Sequence, residues 1–362
     1  EDMVASPESP YGRLTGGIGV RRVMLGELGM ELPTNLDDFT AFLQAAKDQY
    51  DIAPLTANKS SPFISTILTA FGMGDAEWYD IDGTYTHRIK HPQIADYLGY
   101  LQMLYSEGLM DNDMPINTAD NSKEKFASGN AIACAPLMFW DIPSMVNALS
   151  TSNPDCKIEF VTDLAPDADT QPHHYIMEGA ESVTCISQNS KNPEHVVNWL
   201  NILTEPDNFR RTYIGEEGVS YEIIDGEYHP IFEGDDATNF NAYTNSDKLS
   251  GFSDPTLAFQ MWQARARKTP EMAEAYEAMN SRVDEYQALV SIEAYGKTSP
   301  QVQEYITALN QAFSDSFLKA IVEGTDPDEA VAAMQAEWDA NGGLEVEAAM
   351  QEFYEANKDF AG

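Results

Sequence analysis

Cysteine is nearly absent. The 362-residue chain has three, Cys134, Cys156 and Cys185, an odd number with no CxxC spacing. That excludes a disulfide scaffold and a cysteine-based zinc site. Cys134 and Cys185 sit in apolar, strand-like runs and read as buried, inert thiols. Long hydrophobic runs are missing too, and no segment is apolar enough to span a bilayer. Basic charge is scarce: 21 Lys and Arg stand against 59 Asp and Glu, a net charge of −38. Such a surface repels phosphate backbones, which excludes nucleic acid as a partner, and it disfavours anionic membrane surfaces. It suits a protein working at high concentration outside the cytoplasm. No initiator methionine or charged leader opens the chain; Glu1-Asp2 reads as an interior cut.

What is present is enough to fold. Hydrophobic residues make up 43% and charged residues only 22%, the balance of a packed chain rather than a disordered one. The length suits two lobes better than one core. There is no internal repeat and no low-complexity linker.

Strands and helices alternate along the sequence. Ile18 to Arg22 reads as a strand. Thr34 is placed to cap the next helix, with Asp37 three residues on and Leu36, Phe39, Phe42 and Leu43 at helical spacing. Ile52 to Thr56 is strand-like and Phe63 to Phe71 helix-like. After Pro92, Ile94, Tyr97, Leu98, Leu101 and Leu104 mark the buried face of a helix that Gly108 ends. Gly129 stops another helix, Ala131 to Met138 is continuously apolar, and a helix restarts near Asp141. A strand apolar on both faces belongs in the middle of a helix-covered sheet. Ser182 to Leu203 reads as strand, loop and helix, with Asn192 as cap, Pro193 at the first helical position, and Val196, Val197, Leu200 and Leu203 as its inner face. From about Gln301 the chain is helical: Asp326 caps a helix opening with Pro327, Gly342-Gly343 break it, and Leu344 to Asn357 form the last helix. The alternation makes this an α/β protein.

Signals for catalysis fail in turn. Gly296-Lys297-Thr298 mimics the end of a phosphate loop, but Ser291 stands where its first glycine is needed and Pro300 follows. Gly17-Ile18-Gly19 lacks the third glycine of a dinucleotide loop. His173-His174 lacks the HExxH zinc spacing and reads as a solvated or hinge pair. Asp163, Asp167 and Asp169 read as a solvated acidic loop rather than a calcium site. Asp80 and Asp82 around Gly83 read as a turn. A glycosidase needs two carboxylates facing across a sugar, and with 59 acidic residues no pair stands out. The sequence therefore carries no assigned catalytic residue, metal or cofactor.

The order of the motifs carries a resemblance. IGVRRVMLGELGMELPTNLDDF (Ile18 to Phe39), FASGNAIACAPLMFWDI (Phe126 to Ile142), IMEGAESVTCISQNSKNPEHVVNWLNIL (Ile176 to Leu203), YIGEEGVSYEIIDGEYHPI (Tyr213 to Ile231) and the helices of Phe317 to Ala356 follow one another as in a known family. The chain resembles the family 1, maltose-binding-protein-like extracellular solute-binding proteins, and among them the lipoprotein-type oligosaccharide receptors of ABC importers. The resemblance implies a two-lobed periplasmic-binding-protein-like (type II) fold with a hinge, in which the first lobe is only partly present. It implies a crossover at 1–17, a complete lobe at 18–172, a return crossover and part of the other lobe at 173–232, and a mostly helical segment at 233–362. Val183 to Ser187 would re-enter the first lobe, whose other strands would precede residue 1. Unpaired strand edge and exposed apolar surface are expected there. Some relatives carry a calcium loop before the "PLT" strand. Here Lys47 to Tyr50 run almost straight into Ile52-Ala53-Pro54-Leu55-Thr56, so no calcium site is carried over.

The implied function is capture of a mono- or oligosaccharide by hinge closure and delivery to ABC permease subunits, without turnover. The implied setting is extracytoplasmic, on the cell surface or in the periplasm. The protein would act as a monomer, bound to a membrane only through an N-terminal lipid anchor absent from this sequence. The same scaffold used for a non-sugar solute, or as a surface carbohydrate adhesin, is the alternative. Sugars present apolar C–H faces and hydroxyl edges, so a cleft for them needs aromatic platforms and planar polar partners. Phe139-Trp140-Asp141, at the carboxyl end of a central strand, is where such a cleft opens in an α/β sheet. Trp140 is the expected platform, with core sealing as its rival reading. Phe139 is a second aromatic candidate, also open to a core role, and Asp141 a polar one that also caps the next helix. Glu178 would face the cleft from the return crossover or pack in the hinge. Tyr221 and Trp262 are weaker candidates. Trp199 and Trp338 read as core, and Trp78 as lying in a loop.

Overall fold

The computed structural model describes residues 14–59, 62–150, 157–170, 175–178, 185–213, 215–231, 266–267, 269–281, 287–290 and 292–358. Its central sheet has the order β2-β5-β1-β6, with β1 at Gly16–Arg21, β2 at Leu55–Ala57, β5 at Ala133–Met138 and β6 at Ile158–Val161. β2 runs parallel to β5, whereas β1 runs antiparallel to both β5 and β6. The carboxyl ends of β2, β5 and β6 therefore share one edge of the sheet, the edge at which β1 begins.

The period-two alternation of side chains sorts two layers of core. Ile18, Val20, Ala133, Ala135 and Val161 belong to one buried cluster and Cys134, Leu137, Ile158 and Phe160 to the other. Both interior strands, β1 and β5, are covered on both faces, as the apolar run Ala131 to Met138 predicts. On the second face β1 presents Gly17 and Gly19. A Cβ on Gly19 would lie 2.3 Å from the Leu137 side chain, and one on Gly17 would lie 2.4 Å from the Val161 carbonyl oxygen. The Gly-Ile-Gly run thus serves close packing of the sheet.

Helices α1 (Arg22–Leu28) and α2 (Leu36–Tyr50) follow β1. The cap of α2 is Asn35, one residue later than Thr34. Its side-chain oxygen accepts from the Asp38 N–H at 2.9 Å. The reason is tertiary: the Thr34 carbonyl already accepts from Ala165 and the Leu36 N–H donates to Ala165. Short turns follow in α3 (Ser65–Leu68). Strands β3 (Trp78–Ile81) and β4 (Thr84–His87) form a hairpin whose two turn residues, Asp82 and Gly83, both have positive φ. Trp78, expected in a loop, is buried in β3. Helices α4 (Ile94–Ser106), α5 (Ala119–Ser128) and α6 (Ile142–Ser150) complete the part before residue 151.

Beyond β7 (Tyr175–Glu178) come α7 (Pro193–Thr204), α8 (Pro206–Tyr213) and the hairpin β8 (Tyr221–Ile224) with β9 (Glu227–Pro230). Next are α9 (Pro270–Met279) and β10 (Gln287–Val290), then α10 (Glu293–Gly296), α11 (Pro300–Glu323), α12 (Pro327–Trp338) and α13 (Leu344–Asn357). β7 pairs in parallel with β10. Val183 and Thr184 lie outside the described residues, and Cys185 to Ser187 form no strand. Cys185 is exposed, not buried as its apolar neighbours suggest.

Two other expectations need correction at α7. None of its residues is buried, and Trp199, expected in the core, is 52% exposed. Val197 is exposed as well, and Val196 is only half-buried. Amphipathic spacing identifies an apolar face but not what covers it.

The C-terminal helices do pack. Residues 292–350 share one buried cluster with residues 18–164. Phe63 stacks on Phe313 at 5.0 Å and lies 4.9 Å from Phe317. His87 lies 4.3 Å from Trp338, nearly parallel to it, with Trp78 edge-on at 5.1 Å. Lys297 is ion-paired to Glu77 at 2.6 Å and to Glu293 at 3.0 Å, a structural tie rather than a phosphate ligand.

The His87 stack sets a pH dependence. Burial pushes its imidazole down to about 3, against the partial compensation of Glu77. The unfolded chain takes up this proton below its ordinary value of 6.5, whereas the native state refuses it until about 3. Stability from this residue is therefore complete above 6.5 and falls as pH drops towards 3. Relative to a His87→Phe variant, which keeps an aromatic ring in the stack, the protein should lose about 1.4 kcal/mol per pH unit below 6. Urea melts of the two proteins from pH 7 to pH 5 test this, and parallel curves would refute it.

Candidate functional site

The carboxyl edge of the sheet gathers the polar and aromatic groups. β5 ends at Met138 and turns through Phe139–Asp141 into α6. Asp141 fixes the turn: one carboxylate oxygen accepts from the Met138 N–H at 3.1 Å and the other binds the Lys123 ammonium at 2.7 Å. The Phe139 N–H donates to the Thr15 carbonyl at the start of β1. Leu14, just before it, is clamped by Asn280, which accepts from its N–H at 2.7 Å and donates to its carbonyl at 3.0 Å.

The two aromatics of this turn divide their roles. Phe139 is 1% exposed and packs edge-to-face on Tyr276 of α9 at 5.1 Å. Trp140 is 44% exposed and stands against Phe139 at 5.2 Å, with an interplanar angle of 70°. The core-sealing role falls to Phe139, which does not reach solvent as a platform. The indole it supports reaches solvent. Asp141, offered as a hydroxyl partner, spends its carboxylate on Lys123 and the turn.

Neighbouring strands end beside this turn. After β2, Asn58 is buried, and the Lys59 N–H donates to the Asn117 carbonyl at 3.0 Å. The Asn117 side-chain amide donates to the Ala57 carbonyl at 3.1 Å and to Asp111 at 2.8 Å. Burial works to raise the Asp111 carboxyl, but the ammonium of Lys125, the Asp113 N–H and Asn117 outweigh it and hold it below the usual carboxylate range. After β6, the Thr162 hydroxyl donates to Asp163 at 2.8 Å. Asp163 is buried, so only Asp167 and Asp169 fit the solvated loop expected there. Asp167 accepts from the Asp169 N–H and the Thr170 hydroxyl. Asn58, Lys59 and Asn117 were not singled out from sequence, because only the packing of β2 beside β5 brings them near this turn.

The other candidates lie elsewhere. Glu178 ends β7 opposite Val290, and its side chain lies outside the described residues, as does Trp262. Tyr221 is buried in the β8–β9 hairpin with its ring 5.0 Å from Tyr228. A pocket of about 230 Å³ between α11 and α12 and another of about 340 Å³ beside β6 and α9 do not include Trp140. Burial pushes the Cys134 thiol up to about 12, so it is no nucleophile. Among the described residues, no three His, Cys, Asp or Glu side chains are grouped to hold a metal ion, and no helix is long and apolar enough to cross a membrane.

Comparison with known proteins agrees with this architecture. No family model matches the chain. An uncharacterised protein in the butB 5′ region of Niallia circulans is 29% identical over 270 residues, which cover 73% of this chain and 100% of that protein. The structure is similar to that of the alginate-binding protein AlgQ2, with a TM-score of 0.66 and 19% identity over 96% of this chain and 73% of that one. It is similar to FusA, an ABC-transporter substrate-binding protein of S. pneumoniae in complex with kestose, with a TM-score of 0.64 and 15% identity over 99% of this chain and 75% of that one. A human-milk-oligosaccharide (HMO) binding, ABC-transporter associated solute-binding protein from Bifidobacterium longum infantis gives 0.62 and 15% over 97% and 78%. The chain has the mixed α/β fold of the extracellular solute-binding proteins and spans about three-quarters of each of these structures.

The Asp141 junction yields a stability test. Asp141→Ala leaves the Met138 N–H and the Lys123 ammonium without their acceptor and should cost about 2 kcal/mol. Asp141→Asn keeps the acceptor for Met138 and loses only a partly exposed ion pair, at about 1 kcal/mol or less. Urea denaturation of both variants checks the order; equal losses would mean that the turn does not depend on this cap.

Proposed function

We propose that this protein is the extracellular solute-binding component of an ABC importer and that it captures a carbohydrate by hinge closure without chemical turnover. The single observation that carries this reading is Trp140: a half-exposed indole, propped on a buried ring, at the carboxyl edge of a sheet with the solute-binding-protein fold. A flat apolar face fixed by its own backbone turn stacks on a pyranose with little loss of rotamer freedom. In this reading 18–172 with the C-terminal helices forms one lobe, 1–17 and 173–232 carry the crossovers, and 173–232 also begins the second lobe. Glu178, Tyr221 and Trp262 would act from outside the Trp140 edge. Closure dehydrates the cleft and strengthens each hydrogen bond to the sugar. The closed form is what a permease would recognise, so ligand acts by shifting a population. Proteins of similar structure described as binding alginate, human-milk oligosaccharide and kestose support a saccharide as the ligand class.

Isothermal titration against a panel of neutral and uronic oligosaccharides tests the function, with chromatography of the recovered sugar to check that it is intact. Absence of heat and of any thermal shift across the panel would sink the carbohydrate reading, and loss of intact sugar would favour an enzyme. Trp140→Ala should weaken binding by about thirtyfold, some 2 kcal/mol. Its melting temperature should change little, because the indole is 44% exposed. A collapsed melting temperature would instead place the side chain in the core.

A further inference from the structure

On a chain with 59 acidic and 21 basic side chains, a cation finds a carboxylate almost wherever it stands. Lys123 is paired with Asp141, Lys125 with Asp111 and Asp113, Lys157 with Glu274, and Lys297 with Glu77 and Glu293. Lys59 is different. Among the described residues its exposed ammonium has neither an ion pair nor a hydrogen bond, a condition it shares with Lys191 on the turn before α7. Of the two, only Lys59 stands at the carboxyl edge of the central sheet.

We propose that Lys59 makes the Trp140 edge a site for an acidic saccharide, with the ammonium pairing the carboxylate of a uronic acid unit while Trp140 stacks on a sugar ring. The inference rests on the carbohydrate reading of that edge and names the ligand within it. Position comes first. β2 lies next to β5 in parallel register, Ala57 opposite Ala135. Lys59 is two residues beyond that pair and Trp140 five beyond it, which puts their backbones on the order of 10 Å apart. A separation of that size is within the combined reach of a lysine arm and an indole. Preorganisation comes second. The Lys59 N–H is bonded to the Asn117 carbonyl at 3.0 Å, and buried Asn117 ties back to Ala57 at 3.1 Å. The charge therefore sits on a fixed backbone. Ile116, the residue before Asn117, is 72% exposed and adds an apolar flank beside it.

The third argument is competition. The carboxylates at this edge are spoken for: Asp141 by Lys123 and the Met138 N–H, and buried Asp163 by the Thr162 hydroxyl. Among the described residues, no protein anion at this edge claims the ammonium. A carboxylate on the ligand completes the pair, and closure around it would strengthen the attraction by excluding water. A neutral sugar can accept a hydrogen bond from this cation but brings no opposite charge to pair it. The surrounding charge of −38 repels an acidic ligand at long range, so a positive charge inside the cleft is what a uronate needs there.

The test uses two trisaccharides on the protein, a trigalacturonate and the same molecule with its carboxyls reduced to alcohols. Calorimetry should show the uronate bound about tenfold more tightly, with the preference shrinking in high salt. Lys59→Gln should bring the uronate down to the affinity of the reduced sugar, whereas Lys59→Arg should keep the preference. Equal affinity of the two sugars on the unmodified protein, or a preference that survives Lys59→Gln, overturns the acidic-ligand assignment while a Trp140→Ala loss leaves the carbohydrate reading standing. Failure of both trisaccharides to bind overturns it as well; binding of other, neutral sugars in the same assay then shows that the broader reading is sound and only its acidic form is wrong.

Discussion

A side chain at Gly19 would collide with Leu137, and one at Gly17 with the carbonyl of Val161. Much of the sheet's arrangement depends on that empty face of β1. It lets β5 and β6 close on a strand running against them, so the three strands around it all end at one edge. Three successive chain ends become neighbours there, although Lys59, Trp140 and Asp163 are far apart in sequence. The same closeness allows the Phe139 N–H to reach Thr15 and fixes the turn that carries the indole. The site is in this sense a by-product of how tightly an antiparallel strand fits into an otherwise parallel set.

Charge is distributed around this edge by the same economy. Carboxylates outnumber cations almost threefold, and most cations are used as ties: Lys123 for the turn, Lys125 for the loop between α4 and α5, Lys297 for the seat of the C-terminal helices. Partly buried ties of this kind hold geometry more than they add stability, because desolvation takes back much of the attraction. Around His87, stacking does the holding, and a neutral imidazole is the form that such a pocket accepts.

Local signals in the sequence were good guides to local structure. Gly129, the apolar run after it and Asp141 gave the helix, strand and turn of the Trp140 loop, and Asp326-Pro327 gave the start of α12. They failed where a distant partner decides. Ala165 takes the backbone of Thr34 and moves the α2 cap to Asn35. Trp199 and Cys185 read as buried from their apolar neighbours, yet nothing among the described residues buries them. Of the candidate site, the aromatic pair was legible but not its division into prop and platform, since adjacent residues in a tight turn face opposite ways. Lys59 carried no local signal at all. Its meaning comes from a neighbouring strand and from the partners it lacks.

The arrangement of indoles has an optical consequence. Trp78 and Trp338 are buried with His87 between them, and a soluble quencher cannot reach them. Trp140 and Trp199 are open to solvent and to collision with a quencher. Emission from the four described indoles therefore divides into a shielded, shorter-wavelength part and an accessible, longer-wavelength part. A molecule laid flat on Trp140 would move one indole from the second class to the first, so the residue that would hold the ligand also signals its arrival without any attached dye.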